Sequence, residues 1–321
     1  MKKYPSIEQF RNIVRKVREQ HDYQGRDAED NPIYSHTSNY PTLEFQGTVK
    51  LHGTNAGVVK YSDGRIEFQS RERVLSLQSD NSGFMNHYYD KHLLWLFDKF
   101  TYKDYVAIYG EWCGGNIQKG VAISGLPKMF VIFGIMIDDK WIELSKDIQD
   151  NVIQIYNILQ FPTYSITIDF NKPELSQNEL IEKTIEVENC CPVGKLFNVE
   201  GIGEGIVFTC TTNQEFKFKS KGEKHSASKV KTLNSIDVET LESINVFVES
   251  VVSENRLNQG LAYFKENNIE IDAKNTGKFL SWIVSDVLKE EKDTLDANGL
   301  DEKKVKGAIV TKARMWFLNT V

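Results

Sequence analysis

The chain opens on a helical period. Ile7, Phe10, Ile13, Val14 and Val17 fall on one face, and Ser6 with Gln9 has the spacing of a capping box, so an entry helix is expected over residues 6–20. From residue 43 the period changes to two: Leu43, Phe45 and Val49 alternate with polar neighbours, and AGVVKY and RIEFQS flank the turn signal Asp63-Gly64. A helical stretch is expected over 84–100, strands over 105–112, 129–137 and 141–144, and a helix over 145–159. A second capping-box spacing, Ser176 with Glu179, precedes a short helix to about 188, and the strands GIVFTC and EFKFKS close this region. Beyond residue 235 strand signals vanish and helical periodicity takes over. The pattern therefore predicts an α+β fold: an antiparallel-sheet domain over 1–234, then a smaller all-α domain over 235–321.

Composition narrows the class. With 321 residues, 40% hydrophobic and 26% charged, the chain can bury a substantial core and has the balance of a soluble globular protein. The longest apolar run, MFVIFGIMI at 129–137, is too short to cross a bilayer as a helix, and the charged N-terminus lacks the apolar core of a secretory signal. A cytoplasmic, non-membrane protein is expected. Cys113, Cys190, Cys191 and Cys210 form no CxxC pair and have no zinc-like spacing, so they read as free thiols. A net charge of −6 argues against a protein that simply coats nucleic acid. Any such contact must be local. One basic segment exists, FKFKSKGEKHSASKVK at 216–231, with Lys217, Lys219, Lys221, Lys224, Lys229 and Lys231 against the single acid Glu223.

Phosphate chemistry has no familiar loop to use. There is no GxxxxGK[ST], HExxH or GxSxG, and the glycines of GIGEGIVF lack dinucleotide-fingerprint spacing. The segment TVKLHGTNAGVVKY offers another device. Lys50 ends a strand beside a turn whose Gly53 lets the backbone approach a ligand, a setting in which a lysine can act as a covalent nucleophile. Alone, Lys50 reads as a surface lysine and His52 as a structural imidazole. Two carboxylates shift that balance: Glu111 at the end of the strand YVAIYG, and Glu204 between glycines just before IVFTC. Lys217 and Lys219 alternate with Phe216 and Phe218, so both ammonium groups share one strand face, either toward a ligand or as protection of a sheet edge.

Taken in order, KLHGTN (50–55), SRER (70–73), YGEW (109–112), FVIFGI (130–135), EGIVF (204–208) and FKFK (216–219) resemble the motifs of covalent nucleotidyltransferases, above all the phage RNA ligase 2 branch shared with RNA-editing ligases. GNIQKGVAI (115–123) is similar to the segment after the third motif of that branch, and ENRLNQGLAYF and ARMWFLNTV resemble parts of its C-terminal domain. The resemblance implies an adenylyltransferase (nucleotidyltransferase) domain of ATP-grasp-like ligase fold over 1–234 and a helical C-terminal domain over 235–321.

It further implies an ATP-dependent RNA ligase. ATP donates AMP to Lys50, Mg²⁺ or Mn²⁺ assists, and AMP passes to the 5′-phosphate of an RNA end that a 3′-hydroxyl then attacks. Nicked double-stranded RNA is the implied substrate and a monomer the implied state. By resemblance His52 and Asn55 shape the turn around Lys50, and Arg71 and Glu111 contact the ribose and phosphate side of the nucleotide. Phe133 stacks on adenine, Glu204 with Glu111 serves the metal, and Lys217 and Lys219 hold the α-phosphate. SRER leaves Arg71 and Arg73 as alternatives. DNA ligases and GTP-using capping enzymes share this chemistry but continue into an OB-type barrel where this chain predicts helices. A non-catalytic nucleotide- or RNA-binding module is the remaining alternative.

Overall fold

The computed structural model describes residues 1–35, 39–89, 93–225, 240–297 and 299–321. Two compact units emerge, Met1–Gly222 and Glu223–Val321. The expected boundary between 234 and 235 lies outside the described residues, as do Lys229 and Lys231 of the basic segment.

The first unit holds two main sheets and a small hairpin. After β1 (Glu8–Gln9) and α1 (Phe10–Asp22) comes the hairpin β2 (Tyr23–Arg26) and β3 (Pro32–Tyr34), then β4 (Thr42–Lys50), β5 (Gly53–Tyr61) and β6 (Ile66–Ser70). Two five-residue helices, α2 (Phe84–Tyr88) and α3 (Leu94–Asp98), precede β7 (Tyr105–Cys113), β8 (Met129–Ile137), β9 (Lys140–Ile142), β10 (Ile155–Asn157) and β11 (Thr163–Asp169). The unit closes with α4 (Gln177–Asn189), α5 (Pro192–Leu196), β12 (Gly205–Cys210) and β13 (Lys217–Lys221). One sheet has the order β1-β13-β12-β4-β11; the other runs β10-β8-β7-β5-β6, with β9 also on β8. All pairs in both sheets are antiparallel except β1 with β13 and β10 with β8.

Alternation along the strands decides which cores they feed. On β7, Val106, Ile108 and Trp112 pack with Phe84, Tyr88, Leu96, Phe97 and Phe130, so α2 and α3 cover one face of the second sheet. Tyr105, Ala107 and Tyr109 point the other way and meet Tyr4, with Trp141 and Phe133 around them. The first sheet buries Phe45, Ile206, Phe208 and Phe218 against residues of α1 and α4 such as Ile13, Val17, Leu180 and Val187. Each such side chain contributes roughly 1.5–3 kcal/mol of burial.

Several expectations need correction. The entry helix starts at Phe10, not residue 6, because Glu8 and Gln9 pair with Phe218 and Lys219 of β13. Neither capping-box spacing supplies a side-chain cap at the N-cap of its helix. Gln9 is the N-cap of α1 and makes no side-chain cap bond; Ser176 has helical dihedrals and ends a 3₁₀ turn that runs straight into α4. The stretch 84–100 yields two short helices, and 90–92 lie outside the described residues. The helix expected over 145–159 is replaced by two 3₁₀ turns around β10. Its isoleucines are β-branched and suit a strand. Asp150 and Asn157 also accept the amides of Val152 and Leu159, which caps the start of each short turn. The strand β11 and the hairpin β2–β3 were not anticipated at all.

The second unit is helical throughout its described residues: α6 (Thr240–Val251), α7 (Glu254–Glu266), α8 (Thr276–Ala297) and α9 (Glu302–Leu318), packed on Phe247, Val251, Phe264, Phe279, Ile283, Ile309 and Phe317. Among the described residues no helix is long and apolar enough to cross a membrane.

Candidate active site

Strand register assembles the centre of the site. β12 lies between β4 and β13, and Gly205, its first residue, is opposite both Lys50 at the end of β4 and Lys221 at the end of β13. Glu204, one residue earlier, therefore falls between two lysines. Its Oε2 accepts from Lys50 Nζ at 2.8 Å and lies 3.2 Å from His52 Nδ1, while Oε1 is 2.9 Å from Lys221 Nζ. Glu204 is only 3% exposed. Burial alone would raise its pKa, but Lys221, Lys50 and His52 together hold it well below the usual carboxylate range.

Glycine makes this convergence possible. Gly205 has φ +149°, and a Cβ there would sit 2.0 Å from the Ser220 carbonyl oxygen. Behind the Glu204 turn stands α4: Gly203 donates its amide to the Val187 carbonyl, and Thr184 and Ser220 share a hydroxyl hydrogen bond. At the start of β5 a Cβ on Gly53 would meet the Trp112 carbonyl oxygen at 2.4 Å, so the chain after Lys50 can press onto β7 only as glycine.

That contact brings in the next carboxylate. Asn55 on β5 is directly opposite Glu111 on β7. Burial pushes the Glu111 carboxyl up to about 7; Lys50 opposes the rise, Glu204 adds to it, and the Gly53 amide and Arg71 offset part of it. Lys50, Glu204 and Arg71 are thus its electrostatic neighbours. Arg71 also donates to Ser6 Oγ at 3.0 Å. Arg73 does something else: it holds Ser79 and Asp80 through three bonds of 2.6–3.0 Å and braces its own loop. Of the two arginines in SRER, Arg71 is an electrostatic neighbour of Glu111.

Phe133 owes its place to an irregularity. Tyr109 pairs with Gly134 and Gly110 with Ile132, so Phe133 is the extra residue of a bulge in β8. Bulges re-aim side chains beside functional sites, and here the ring turns toward Tyr4, 4.9 Å away edge-on. Tyr4 is a residue the sequence did not single out. Its hydroxyl accepts from Lys217 Nζ at 2.7 Å, and that ammonium also lies 5.1 Å from the Tyr4 ring and 5.5 Å from the Trp141 ring. Burial draws the Lys217 pKa down to about 8.

The three lysines of β13 share one face by alternation, yet they serve different places. Lys221 is at Glu204. Lys217 stands four residues away, about 13 Å along the strand, in an aromatic enclosure. Lys219 lies between them, opposite Val207. The sequence reading chose Lys217 and Lys219 and passed over Lys221, although the pattern KFKSK carried the signal. For Tyr4 no local pattern existed, since its partners are brought by strands more than a hundred residues away.

Among the described residues no group of three or more His, Cys, Asp or Glu side chains converges as a metal cage. Two carboxylates, Glu111 and Glu204, share the site, and both Glu204 oxygens are engaged by lysines. Such a set fits a hard divalent ion that takes most of its ligands from phosphate and water.

Comparison with known proteins gives the family. The RNA ligase family model matches residues 43–231, more than half of the chain. In the described part, that span runs from β4 through β13. No curated protein matches significantly. Among solved structures, Naegleria gruberi RNA ligase with pyrophosphate is 19% identical at a TM-score of 0.44, covering 70% of this chain and 56% of that one. A glutamate-to-alanine variant of the same enzyme with ATP and Mn gives 19% and 0.46 over 70% and 57%, and a lysine-to-methionine variant with AMP and Mn gives 16% and 0.43 over 70% and 56%. The chain thus spans little more than half the length of these matched chains. With the family model extending across every strand that contributes Lys50, Glu111, Glu204 and the β13 lysines, the chain belongs to the RNA ligase family.

Proposed function

We propose that the chain is an ATP-dependent RNA ligase that joins 3′-hydroxyl and 5′-phosphate ends, at nicks in duplex RNA, through a lysyl-AMP intermediate on Lys50. The observation that carries this reading is the buried Glu204 held between Lys50 and Lys221 at the meeting of three strand ends, with His52 beside it. Lys50 Nζ attacks the α-phosphorus of ATP, the Pα–O bond to pyrophosphate breaks, and AMP remains on the amine. AMP then moves to the RNA 5′-phosphate, and the 3′-hydroxyl displaces it.

Each residue has a part that its surroundings support. Glu204 orients the Lys50 amine; His52 and Asn55 line the turn on either side of Gly53. Arg71, with Glu111 as electrostatic neighbour, faces the ribose and phosphates, Phe133 offers its ring to adenine, and Lys217, Lys219 and Lys221 supply positive charge for phosphate. Mg²⁺ or Mn²⁺ arriving with ATP near Glu111 and Glu204 would neutralise charge on the leaving pyrophosphate. RNA is favoured over DNA because the described C-terminal residues are helices where the DNA-joining relatives carry a barrel. All four cysteines are free, in keeping with a reducing cytoplasm, and we take the working state as a monomer.

Incubation with α-labelled ATP and Mg²⁺ should leave covalent label on the protein, absent from Lys50→Ala. Equal labelling of the two proteins would remove Lys50 from its role, and sealing of nicked DNA as fast as nicked RNA would remove the substrate assignment.

A further inference from the structure

We infer that Lys221 acts as the counter-charge that keeps Glu204 compensated while Lys50 carries AMP, and so sets how far the adenylylation equilibrium lies toward the charged enzyme. The inference rests on Lys50 being the nucleophile. Before reaction Glu204 has two ammonium partners, Lys50 at 2.8 Å and Lys221 at 2.9 Å, with His52 Nδ1 at 3.2 Å. It is 3% exposed, so water contributes little to its solvation.

Adenylylation removes one of those charges by covalent chemistry. The Lys50 ammonium releases one proton before attack and a second as the N–P bond forms, and the electron pair of the Pα–O bond leaves with pyrophosphate. What remains on Lys50 is a phosphoramidate N–H without positive charge, whose phosphate bears a negative charge of its own. Of the three side chains paired with Glu204, Lys221 is then the remaining lysine ammonium, with His52 Nδ1 beside it. A buried carboxylate that goes from two lysine partners to one keeps an ion pair; one that goes from one to none is left with desolvation unrelieved. Lys221 therefore stabilises the adenylylated state more than the free state.

The backbone holds Lys221 in this position independently of Lys50. Lys221 ends β13 opposite Gly205, and the close approach of Gly205 to the Ser220 carbonyl fixes that register. Lys50 reaches Glu204 from the other side, off β4. Movement of Lys50 toward a phosphate need not disturb the Lys221–Glu204 pair.

The test is an equilibrium measurement on the full chain. Wild type, Lys221→Met, Lys221→Gln and Lys221→Arg are labelled with α-labelled ATP at fixed free Mg²⁺, and the pyrophosphate concentration that removes half of the label is found from both directions. Each protein is first melted to show that it is folded at the assay temperature. Both neutral variants should lose their label at about tenfold lower pyrophosphate or less, and Lys221→Arg should stay near wild type. A residue that only supported the fold would change rate and melting temperature but not this midpoint. If Lys221→Met fails to fold, Lys221→Gln decides. An unmoved midpoint in a folded neutral variant overturns the inference, whereas a wild-type protein that never takes label overturns the proposed function instead.

Discussion

At the scale of single residues, Glu111 and Tyr4 make opposite use of burial. Glu111 has its carboxyl raised from 4.5 to about 7, so below pH 4.5 it is protonated in both folded and unfolded chains and its burial carries no ionic penalty. As pH climbs through 4.5 toward 7 the unfolded chain ionises first, and stability is lost across that window. The loss is at most about 3 kcal/mol, less for the part of the carboxylate that water reaches. In chelator-treated protein the melting temperature of wild type should therefore fall between pH 5 and pH 8 by several degrees more than that of Glu111→Gln; parallel curves would show that the carboxyl titrates normally. Tyr4 instead gives a buried ammonium its acceptor. Tyr4→Phe keeps the ring against Phe133 and Trp141 but takes the hydroxyl from Lys217, and an unmet buried donor costs about 1–3 kcal/mol. The variant should show a KM for ATP in self-adenylylation several-fold above wild type. A wild-type KM would confine Tyr4 to packing.

At the scale of elements, what could be read in advance depended on how local its cause was. The hairpin around Asp63-Gly64, the strands β7, β8 and β12, and the helices after residue 240 follow from periodicity within their own segments, and they formed as expected. The strand β10 and the late start of α1 have distant causes: parallel pairing of β10 with β8 and of β1 with β13. A capping-box spacing at Ser6 cannot announce that Glu8 is needed 210 residues away, and a run of isoleucines at 148–158 serves a helix or a strand until its neighbour is known. The site divides along the same line. Lys50 and Glu204 stand at strand ends and Glu111 two residues inside the end of β7, all on strands visible in the sequence, whereas the pairing of Glu204 with Lys221 depends on which β13 lysine falls opposite Gly205. That register is testable through Gly205 itself. A Cβ at 2.0 Å from Ser220 O forces the strands apart, so Gly205→Ala should cost roughly 1–3 kcal/mol in strain and sharply reduce self-adenylylation. Normal labelling in a folded Gly205→Ala protein would mean that the Lys221–Glu204 spacing is not needed.

At the scale of the molecule, two units with separate cores imply two separable stabilities. The helical unit is pinned by Arg256, which is fully buried. Its guanidinium donates to the Val251 carbonyl at the end of α6 and meets Asp286, Glu290 and Glu291 of α8 at 2.9, 2.9 and 3.3 Å. One side chain of α7 thereby ties three helices. Breaking a buried ionic set by removing one partner leaves charges desolvated and unpaired, at about 3–5 kcal/mol, a large share of what a unit of this size has in reserve. None of the residues that surround Lys50 belongs to this network, so Arg256→Ala should lower or abolish the melting transition of the helical unit alone. Because Lys50, Glu111, Glu204 and Lys221 all lie within Met1–Gly222, transfer of AMP to Lys50 should persist in the variant. Calorimetry followed by labelling checks both halves of this claim. Loss of self-adenylylation at a temperature where the first unit remains folded would show that the chemistry of the β-rich unit depends on the helical one, and that the two cannot be treated as energetically separate.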